Sequence, residues 1–257
     1  MKKAAGIIPA RWQSTRFPGK PLYLIANKPL LQHVYDQTRK AKCLDLIIVA
    51  TDDLRIAQAA SDWGANVAFT SPSHASGTDR AAEVADKLTD TAFIVNIQGD
   101  EPLIDPKLID QIVSRLRADP KLEMITAAHP FTDPSEAASP HQVKVVLDQA
   151  GNALYFSRSA IPFHRNSAGR QNYLRHQGIY GYKRDLLLRL VRWKPTALEQ
   201  TEGLEQLRAI ENGVTIHVLL TAQGSPGVDT LEDAVAIERR LLALRRPSKR
   251  RDRVRSS

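Results

Sequence analysis

The stretch Ala4-Ala5-Gly6-Ile7-Ile8-Pro9-Ala10, which continues as Arg11-Trp12-Gln13-Ser14-Thr15-Arg16-Phe17-Pro18-Gly19-Lys20-Pro21, decides the expected fold. Its apolar half predicts a buried strand, and its polar half predicts a loop with three cations, two hydroxyls and a Pro-Gly turn. In an open α/β sheet, ligands bind beyond the carboxyl ends of the strands. A cationic loop at that place suits a polyphosphate, because backbone N–H groups bind oxygens while Arg and Lys neutralise their charge.

The glycine spacing of this loop excludes two common nucleotide-binding motifs. The spacing of the NTPase phosphate loop is absent, and so is the Gly-rich fingerprint of dinucleotide-binding enzymes. A dehydrogenase is therefore a weak interpretation of the chain.

Strands and helices alternate through the first half of the chain. Apolar runs predict buried parallel strands at 4–10, 46–50, 66–69 and 93–98. Helical patterns lie between and after them, at about 29–41, 53–63, 78–88 and 106–118. This rhythm predicts an α/β fold with a doubly wound, mostly parallel sheet.

The rhythm breaks after about residue 130. Two β-rich segments, 143–147 and 153–157, flank a polar turn, which is the pattern of a hairpin. We therefore expect one domain over 1–244, with an inserted antiparallel β region at about 131–182. Helices are expected again at about 183–193, 202–212 and 230–244, with a strand at 214–220.

Composition predicts a cytoplasmic enzyme. Hydrophobic residues make up 42% of 257 residues, and no apolar run approaches the ~20 residues of a membrane span. The segment 245–257 holds seven Lys or Arg and one Asp, so it supplies +6 of the net charge of +8. A basic tail of this kind can touch nucleic acid or anionic lipid, but it offers no aromatic residue for base stacking, and a solvated chain end is the favoured interpretation.

Two acidic positions predict a magnesium site. Asp100 and Glu101 follow the apolar strand at 93–98, and Asp229 precedes the last predicted helix. Mg²⁺ prefers one or two carboxylates together with phosphate oxygens and water. Taken alone, the first pair is also compatible with an ordinary acidic turn, and Asp229 with a helix N-cap.

Further polar groups suit a nucleotide and a sugar acid. Ser76-Gly77-Thr78-Asp79-Arg80 is a loop-to-helix junction that predicts either a base- or phosphate-binding turn or a helix start capped by Thr78. Three later clusters, 155–158, 175–182 and 204–208, combine Arg, His, Tyr, Gln and Glu. A polyhydroxylated sugar acid needs these groups, although each residue alone is more often structural.

The motifs in order resemble one family of enzymes. They occupy 9–22, 50–53, 76–80, 96–102, 143–146, 153–162, 175–182, 204–208 and 227–230. Over about residues 5–242 the chain resembles the 3-deoxy-manno-octulosonate (KDO) cytidylyltransferases. The resemblance implies that CTP and KDO give CMP-KDO and pyrophosphate for lipopolysaccharide biosynthesis, in a homodimer formed through the inserted region.

The resemblance also implies roles for individual residues. The triphosphate-binding residues are Arg11, Ser14 and Lys20. The cytosine side is assigned to Ser76 and Arg80, and the Mg²⁺ carboxylates are Asp100 and Asp229. The sugar pocket is assigned to Gln98, Arg158, His176, Tyr180, Glu205 and Gln206. Catalysis is assigned to Lys20, Arg11 and Asp100, and no side-chain general base is identified.

Two departures from the family pattern bear on these expectations. Gln177, at the border of the sugar pocket, stands where the family usually has an aliphatic residue. The alternative substrates are the 8-amino analogue of KDO, which the motifs over 153–208 leave open, and another acidic sugar such as a sialic acid, over which those motifs favour KDO. Gly203 is expected to weaken the first turn of a helix by up to about 1 kcal/mol. A non-catalytic nucleotide- or nucleic-acid-binding protein is the alternative from another class, and it gives Asp100 and Asp229 no role.

Overall fold

The computed structural model describes residues 2–13, 17–165 and 172–245. The strands are β1 Lys3–Ala10, β2 Leu24–Ile25, β3 Lys28–Pro29, β4 Leu46–Thr51, β5 Asn66–Phe69, β6 Thr91–Asn96, β7 Met124–Pro130, β8 Lys144–Leu147, β9 Ala153–Ser157, β10 Leu174–Lys183 and β11 Ile216–Leu220. The helices are α1 Leu30–Thr38, α2 Leu54–Asp62, α3 Gly77–Lys87, α4 Pro106–Ala118, α5 Arg184–Leu190, α6 Ala197–Glu202, α7 Gln206–Glu211 and α8 Leu231–Arg245.

The central sheet has the order β11-β7-β10-β6-β1-β4-β5. Strands β6, β1, β4 and β5 are mutually parallel, and β11 is parallel to β7. Only β10 among these described strands runs antiparallel to both neighbours, β6 and β7. The α/β fold with a mostly parallel sheet is therefore confirmed, and the carboxyl ends of the parallel strands meet at one edge.

Helices cover both faces of the sheet. Ile7 and Ile8 are adjacent in β1, both fully buried, and belong to different hydrophobic clusters. The cluster around Ile8 includes residues of α1, α2 and α4, whereas the cluster around Ile7 includes residues of α3, α5 and α7. Because successive strand residues point to opposite faces, the continuous apolar run of β1 is what a strand covered on both sides requires.

The predicted hairpin is confirmed. Strands β8 and β9 pair antiparallel, and β8 also pairs with the beginning of β10. The rest of β10 lies between β6 and β7 in the central sheet, although its residues fall in the range expected for an insertion. The reason is the buried run Ile179–Tyr182, which needs cover on both faces.

Two local predictions are wrong. Strand β7, whose first five residues are all buried, was not predicted. Helix α7 occupies only residues 206–211 of the helix expected at 202–212, because the separate helix α6 ends at Glu202 and Gly203 follows it in the left-handed conformation with φ 61°. Gly203 thus terminates a helix rather than weakening its first turn.

No helix in the described part of the chain is long and apolar enough to cross a membrane.

Candidate active site

Three distant segments meet at the carboxyl edge of the sheet. Lys20 begins a short 3-10 helix after the first loop, Asp100 follows β6, and Asp229 precedes α8. Lys20 Nζ donates to Oδ2 of Asp100 over 2.6 Å and to Oδ1 of Asp229 over 3.3 Å. One ammonium group therefore lies between two carboxylates that the sequence predicted to share a cation.

Backbone contacts place Asp100. A Cβ on Gly99 would lie 2.7 Å from the carbonyl oxygen of Pro9, so the loop after β6 can pack against the end of β1 only with glycine there. The N–H of Val228 donates to the carbonyl oxygen of Asp100 over 3.0 Å, which holds the two acidic segments together. Gly99 thus permits a close approach between two segments of the chain.

Thr230, and not Asp229, caps the start of α8. Thr230 Oγ1 accepts from the N–H of Asp233 over 3.2 Å, and Oδ2 of Asp233 accepts from the N–H of Thr230 over 2.9 Å. This reciprocal pair is a capping box with Asp in place of the usual Glu. The side chain of Asp229 faces Lys20 instead.

The first loop is closed by backbone and ring contacts. The N–H of Gly19 donates to the carbonyl oxygen of Trp12 over 3.1 Å, and the guanidinium of Arg55 lies 3.5 Å from the centre of the Trp12 ring. Arg11 is exposed directly after β1. Ser14 lies outside the described residues, so its predicted role stays a prediction.

The donor set at this edge fits magnesium. Within residues 2–13, 17–165 and 172–245, no three His, Cys, Asp or Glu side chains are grouped as a self-contained metal site. Asp100 and Asp229 provide two carboxylates that already share a cationic group. Two carboxylates, completed by phosphate oxygens and water, are a common protein contribution to a Mg²⁺ site. Binding of Mg²⁺ here stays a prediction.

Arg80 and Ser76 lie at the start of α3. Arg80 is only 3% exposed, and its guanidinium pairs with Asp52 over 3.1 Å and donates to Thr70. Ser76, and not Thr78, is the N-cap of α3, in a capping box with Asp79. The expected cap at Thr78 is wrong because Oγ of Ser76 accepts from the N–H of Asp79. Contact of either residue with cytosine stays a prediction.

His176 and Tyr180 lie side by side on β10. The His176 ring is 5.4 Å from the Tyr180 ring and 5.0 Å from the Phe156 ring, centre to centre. Its Nε2 lies 3.0 Å from Thr126 Oγ1. Desolvation lowers the pKa of His176 to about 3, and burial raises the pKa of Tyr180. Both side chains are therefore neutral hydrogen-bonding groups near neutral pH.

The remaining sugar-side residues come from the loop after β6, the α6–α7 turn and the start of α7. Glu205 Oε1 accepts from Ser76 Oγ over 3.0 Å, and burial raises the pKa of its carboxyl group. Gln98 Nε2 donates to the carbonyl oxygen of Gly178 over 2.9 Å. Gln206 is 7% exposed, and its Nε2 is a buried donor with no hydrogen-bond partner in the described part of the chain.

Arg158 is engaged with the backbone. Its guanidinium donates to the carbonyl oxygens of Pro140 over 3.0 Å, Glu202 over 2.7 Å and Gly203 over 3.2 Å. These bonds fix the end of α6 next to Glu205. Its predicted contact with a sugar carboxylate stays a prediction.

Glu101 is a buried acid whose environment the sequence did not reveal. It is 8% exposed, and burial beside Asp100 raises its pKa to about 8. Gln177 Nε2 donates to its Oε2 over 3.4 Å. The sequence placed both acids at the strand end, but only Asp100 contacts Lys20. The polar residue at 177, in a usually aliphatic position, was the available signal for a buried polar partner.

A cationic loop and two carboxylates, at the carboxyl edge of a parallel sheet and beside a polar pocket, define a nucleotide-dependent transferase. A model of the cytidylyltransferase family matches residues 5–216. The chain belongs to the cytidylyltransferase family, which confirms the resemblance inferred from its motifs.

Relatives and solved structures agree. The 3-deoxy-manno-octulosonate cytidylyltransferase of Solibacter usitatus is 50% identical over 238 residues, 93% of this chain and 94% of that protein. The enzyme of the same name from Geobacter sulfurreducens is 48% identical over 237 residues, 88% of this chain and 94% of that one. A structure of CMP:2-keto-3-deoxy-manno-octonic acid synthetase complexed with CTP superposes with a TM-score of 0.90 at 41% identity, covering 94% of this chain and 99% of that chain.

A more distant structure shares the fold alone. The 4-diphosphocytidyl-2C-methyl-D-erythritol synthase of Anaerococcus prevotii superposes with a TM-score of 0.64 at 16% identity, covering 94% of this chain and 99% of that chain.

Proposed function

We propose that this protein activates KDO with CTP, giving CMP-KDO and pyrophosphate. The observation that carries the proposal is the meeting of Lys20, Asp100 and Asp229 at one point of the sheet edge. Relatives of nearly the same length are named for this reaction, and a structure 41% identical in sequence is a CTP complex.

The reaction replaces one P–O bond with another. The anomeric 2-hydroxyl oxygen of KDO bonds to the α-phosphorus of CTP, the bond from that phosphorus to the bridging oxygen breaks, and pyrophosphate leaves with the bonding electrons. The hydroxyl proton passes to solvent. Catalysis is positioning and charge stabilisation, so Lys20 and Arg11 neutralise the charge that grows on the phosphates.

Asp100 and Asp229 would hold Mg²⁺. When bound, the ion would polarise the α-phosphate and ease loss of the hydroxyl proton. Lys20 donates a hydrogen bond to each of these carboxylates. The nucleotide-side proposal also includes Ser14, Ser76 and Arg80.

The sugar pocket uses neutral hydrogen-bonding groups. His176 and Tyr180 offer ring nitrogen and hydroxyl groups, and Gln206 offers its unused amide donor. Gln98, Arg158 and Glu205 complete the proposed pocket. Such groups suit a polyhydroxylated ligand, because each sugar hydroxyl donates and accepts hydrogen bonds.

KDO is favoured over other acidic sugars. Two relatives at 48% and 50% identity are named for KDO. A sialic acid is not favoured by these names, and the 8-amino analogue is the alternative that the assay must include.

Two further properties belong to the proposal. A homodimer formed through the β8–β9 region is supported by exposed apolar side chains there, Leu154 at 58% and Phe163 at 88%. Sedimentation equilibrium tests the dimer, because a monomer at micromolar concentration would contradict it.

A cytoplasmic location is supported by the proposed use of CTP, a cytoplasmic nucleotide.

The test is pyrophosphate release by the purified protein with CTP and Mg²⁺. KDO, its 8-amino analogue and a sialic acid are compared in parallel. We expect release with KDO, at a kcat/KM above that for the other sugars. Release only with another sugar would keep the chemistry and overturn the substrate, whereas no release from a folded protein with any sugar would overturn the proposal.

A further inference from the structure

Lys144 is a fully buried lysine. It is 0% exposed and lies at the start of β8, in the Val-Lys-Val-Val motif to which the proposed reaction gives no role. Its Nζ donates to the carbonyl oxygens of Ser139 over 3.0 Å, Gln142 over 2.6 Å and Arg158. An ammonium group has three donors, so all three are used and none is left for a substrate.

These bonds fasten a loop from two sides. Lys144 holds the loop at Ser139 and Gln142, and Arg158 holds it at the carbonyl oxygen of Pro140. Carbonyl oxygens that converge on one buried cation are unfavourable without it, because they would keep no hydrogen-bond partner. The position of the loop therefore depends on the charge at Lys144.

The same cluster includes the end of α6. The Glu202 carboxylate accepts from Ser157 Oγ over 2.6 Å and from the N–H of Arg158 over 2.9 Å. Burial lowers the pKa of Lys144, and the charge of Glu202 acts against that shift. Arg158 in turn donates to the carbonyl oxygens of Glu202 and Gly203. The loop, the end of β9 and the end of α6 thus form one connected unit.

This unit borders the sugar side of the site. The N–H of His176 donates to the carbonyl oxygen of Val143 over 2.9 Å, directly before Lys144. Glu205 and Gln206 follow Gly203 after the turn that Arg158 holds. The nucleotide-side residues Lys20 and Asp100 come from other segments, after β1 and β6.

We propose that Lys144 is a positioning residue for the acidic-sugar half of the site, acting through Arg158 and the loop 139–142. The inference rests on the proposed function, since it assigns the sugar half of that site. Displacement of His176, Glu205 and Gln206 by a fraction of an ångström weakens sugar binding. The bond from Ser76 to Glu205 links this unit to the nucleotide side, but Lys20 and Asp100 lie on other segments, so we expect CTP binding to change much less. Positional errors of about 1 Å cost as much as about 100-fold in rate.

The decisive variant is Lys144→Met, which keeps a long unbranched side chain and removes the charge. We expect the KM for KDO to rise by about tenfold or more, with the calorimetric Kd for CTP within about twofold of the wild type. Lys183→Met is the matched control. Lys183 also donates to a backbone carbonyl, that of Pro120, but it is the last residue of β10, whereas β8 with Lys144 pairs with the beginning of that strand. It should leave both constants unchanged.

A second variant keeps the test decisive if Lys144→Met does not fold. Glu202→Gln removes the charge that faces Lys144 and keeps the shape of the side chain, so we expect a smaller rise in the KM for KDO with the Kd for CTP unchanged. Equal changes for KDO and CTP, or a lower kcat with both constants unchanged, would overturn the proposal. Absence of KDO turnover in the wild type would instead overturn the proposed function.

Discussion

Ser76 and Glu205 lie 129 positions apart in sequence, and Oγ of Ser76 donates to Oε1 of Glu205 over 3.0 Å. Ser76 caps α3 on the predicted nucleotide side, and Glu205 belongs to the predicted sugar side. The two halves of the site therefore share a hydrogen bond in the free protein.

This bond predicts coupling between two variants. Ser76→Ala removes both the helix cap and the bond to Glu205, so we expect it to lower the free energy of unfolding by about 1 kcal/mol. Combined with Glu205→Ala, which removes the accepting oxygen, the total loss should be less than the two single losses added together, because the shared bond is removed once. Urea unfolding of the four proteins measures this, and strict additivity would contradict the coupling.

Substitution of Asp100 should reduce turnover without unfolding the protein. Asp100→Asn keeps the shape of the side chain and removes the charge paired with Lys20, so kcat for pyrophosphate release should fall by about 100-fold at saturating Mg²⁺. Asp62→Asn, at an exposed position at the end of α2, is the matched control and should retain full activity. Near-normal kcat in Asp100→Asn with an unchanged circular dichroism spectrum would remove Asp100 from the mechanism.

Because Glu101 is buried, we expect the protein to become less stable as pH rises. Its pKa is about 8 in the folded protein against 4.5 for the free side chain, so between these values the folded state binds a proton that the unfolded state has lost. The associated stability is fully present below about pH 4.5 and decreases up to about pH 8, by at most about 5 kcal/mol.

The check is urea unfolding of the wild type and Glu101→Gln at pH 5, 6.5 and 8. The wild type should lose stability relative to the variant at each step upwards. A difference between the two proteins that does not change with pH would show that the carboxyl group of Glu101 titrates normally.

We expect the imidazole of His176 to stay neutral in mildly acidic solution. Desolvation lowers its pKa to about 3, whereas a solvated histidine has a pKa near 6.5. The NMR signals of its ring should therefore not titrate between pH 8 and pH 5. Titration of His176 with a midpoint near 6.5 would place its ring in water.

Substitution of Gly203 should destabilise the protein through the backbone conformation at this position. Its φ of 61° is costly for residues with a Cβ, so Gly203→Ala should lower the free energy of unfolding by about 1 kcal/mol. Gly203→Asn should cost less, because asparagine tolerates the left-handed region. Thermal or urea unfolding of both variants measures the difference, and equal stability of all three proteins would contradict the role of Gly203 as the terminator of α6.

The alternation of apolar strands and polar loops predicted where the site lies, because this pattern can be recognised from neighbouring residues in the sequence. The apolar runs of β1 and β6 and the polar residues after them fixed which edge of the sheet carries Lys20 and Asp100. The capping box at Thr230 was also legible, because Thr and Asp stand three residues apart before a helix. Local periodicity and capping therefore sufficed for most of the α/β core.

Other features depended on contacts between distant segments. Nothing near Lys144 in the sequence shows that three carbonyl oxygens, two from the loop before it and one from Arg158, surround its ammonium group. The burial of Glu101 depends in the same way on packing against Gln177. Strand β7 was missed because its Thr126 and His129 interrupt the apolar run, although Thr126 is fully buried through bonds to β10.

The contact between Lys20 and Asp229 joins residues 209 positions apart. During synthesis, a ribosome therefore releases Lys20 long before the second acid exists. Because such distant contacts form late, the cluster of Lys20, Asp100 and Asp229 is completed among the last steps of folding. A nascent or prematurely terminated chain that ends before residue 229 has the first loop and most of the sheet but not the second carboxylate. Catalytic competence is thus linked to completion of the polypeptide.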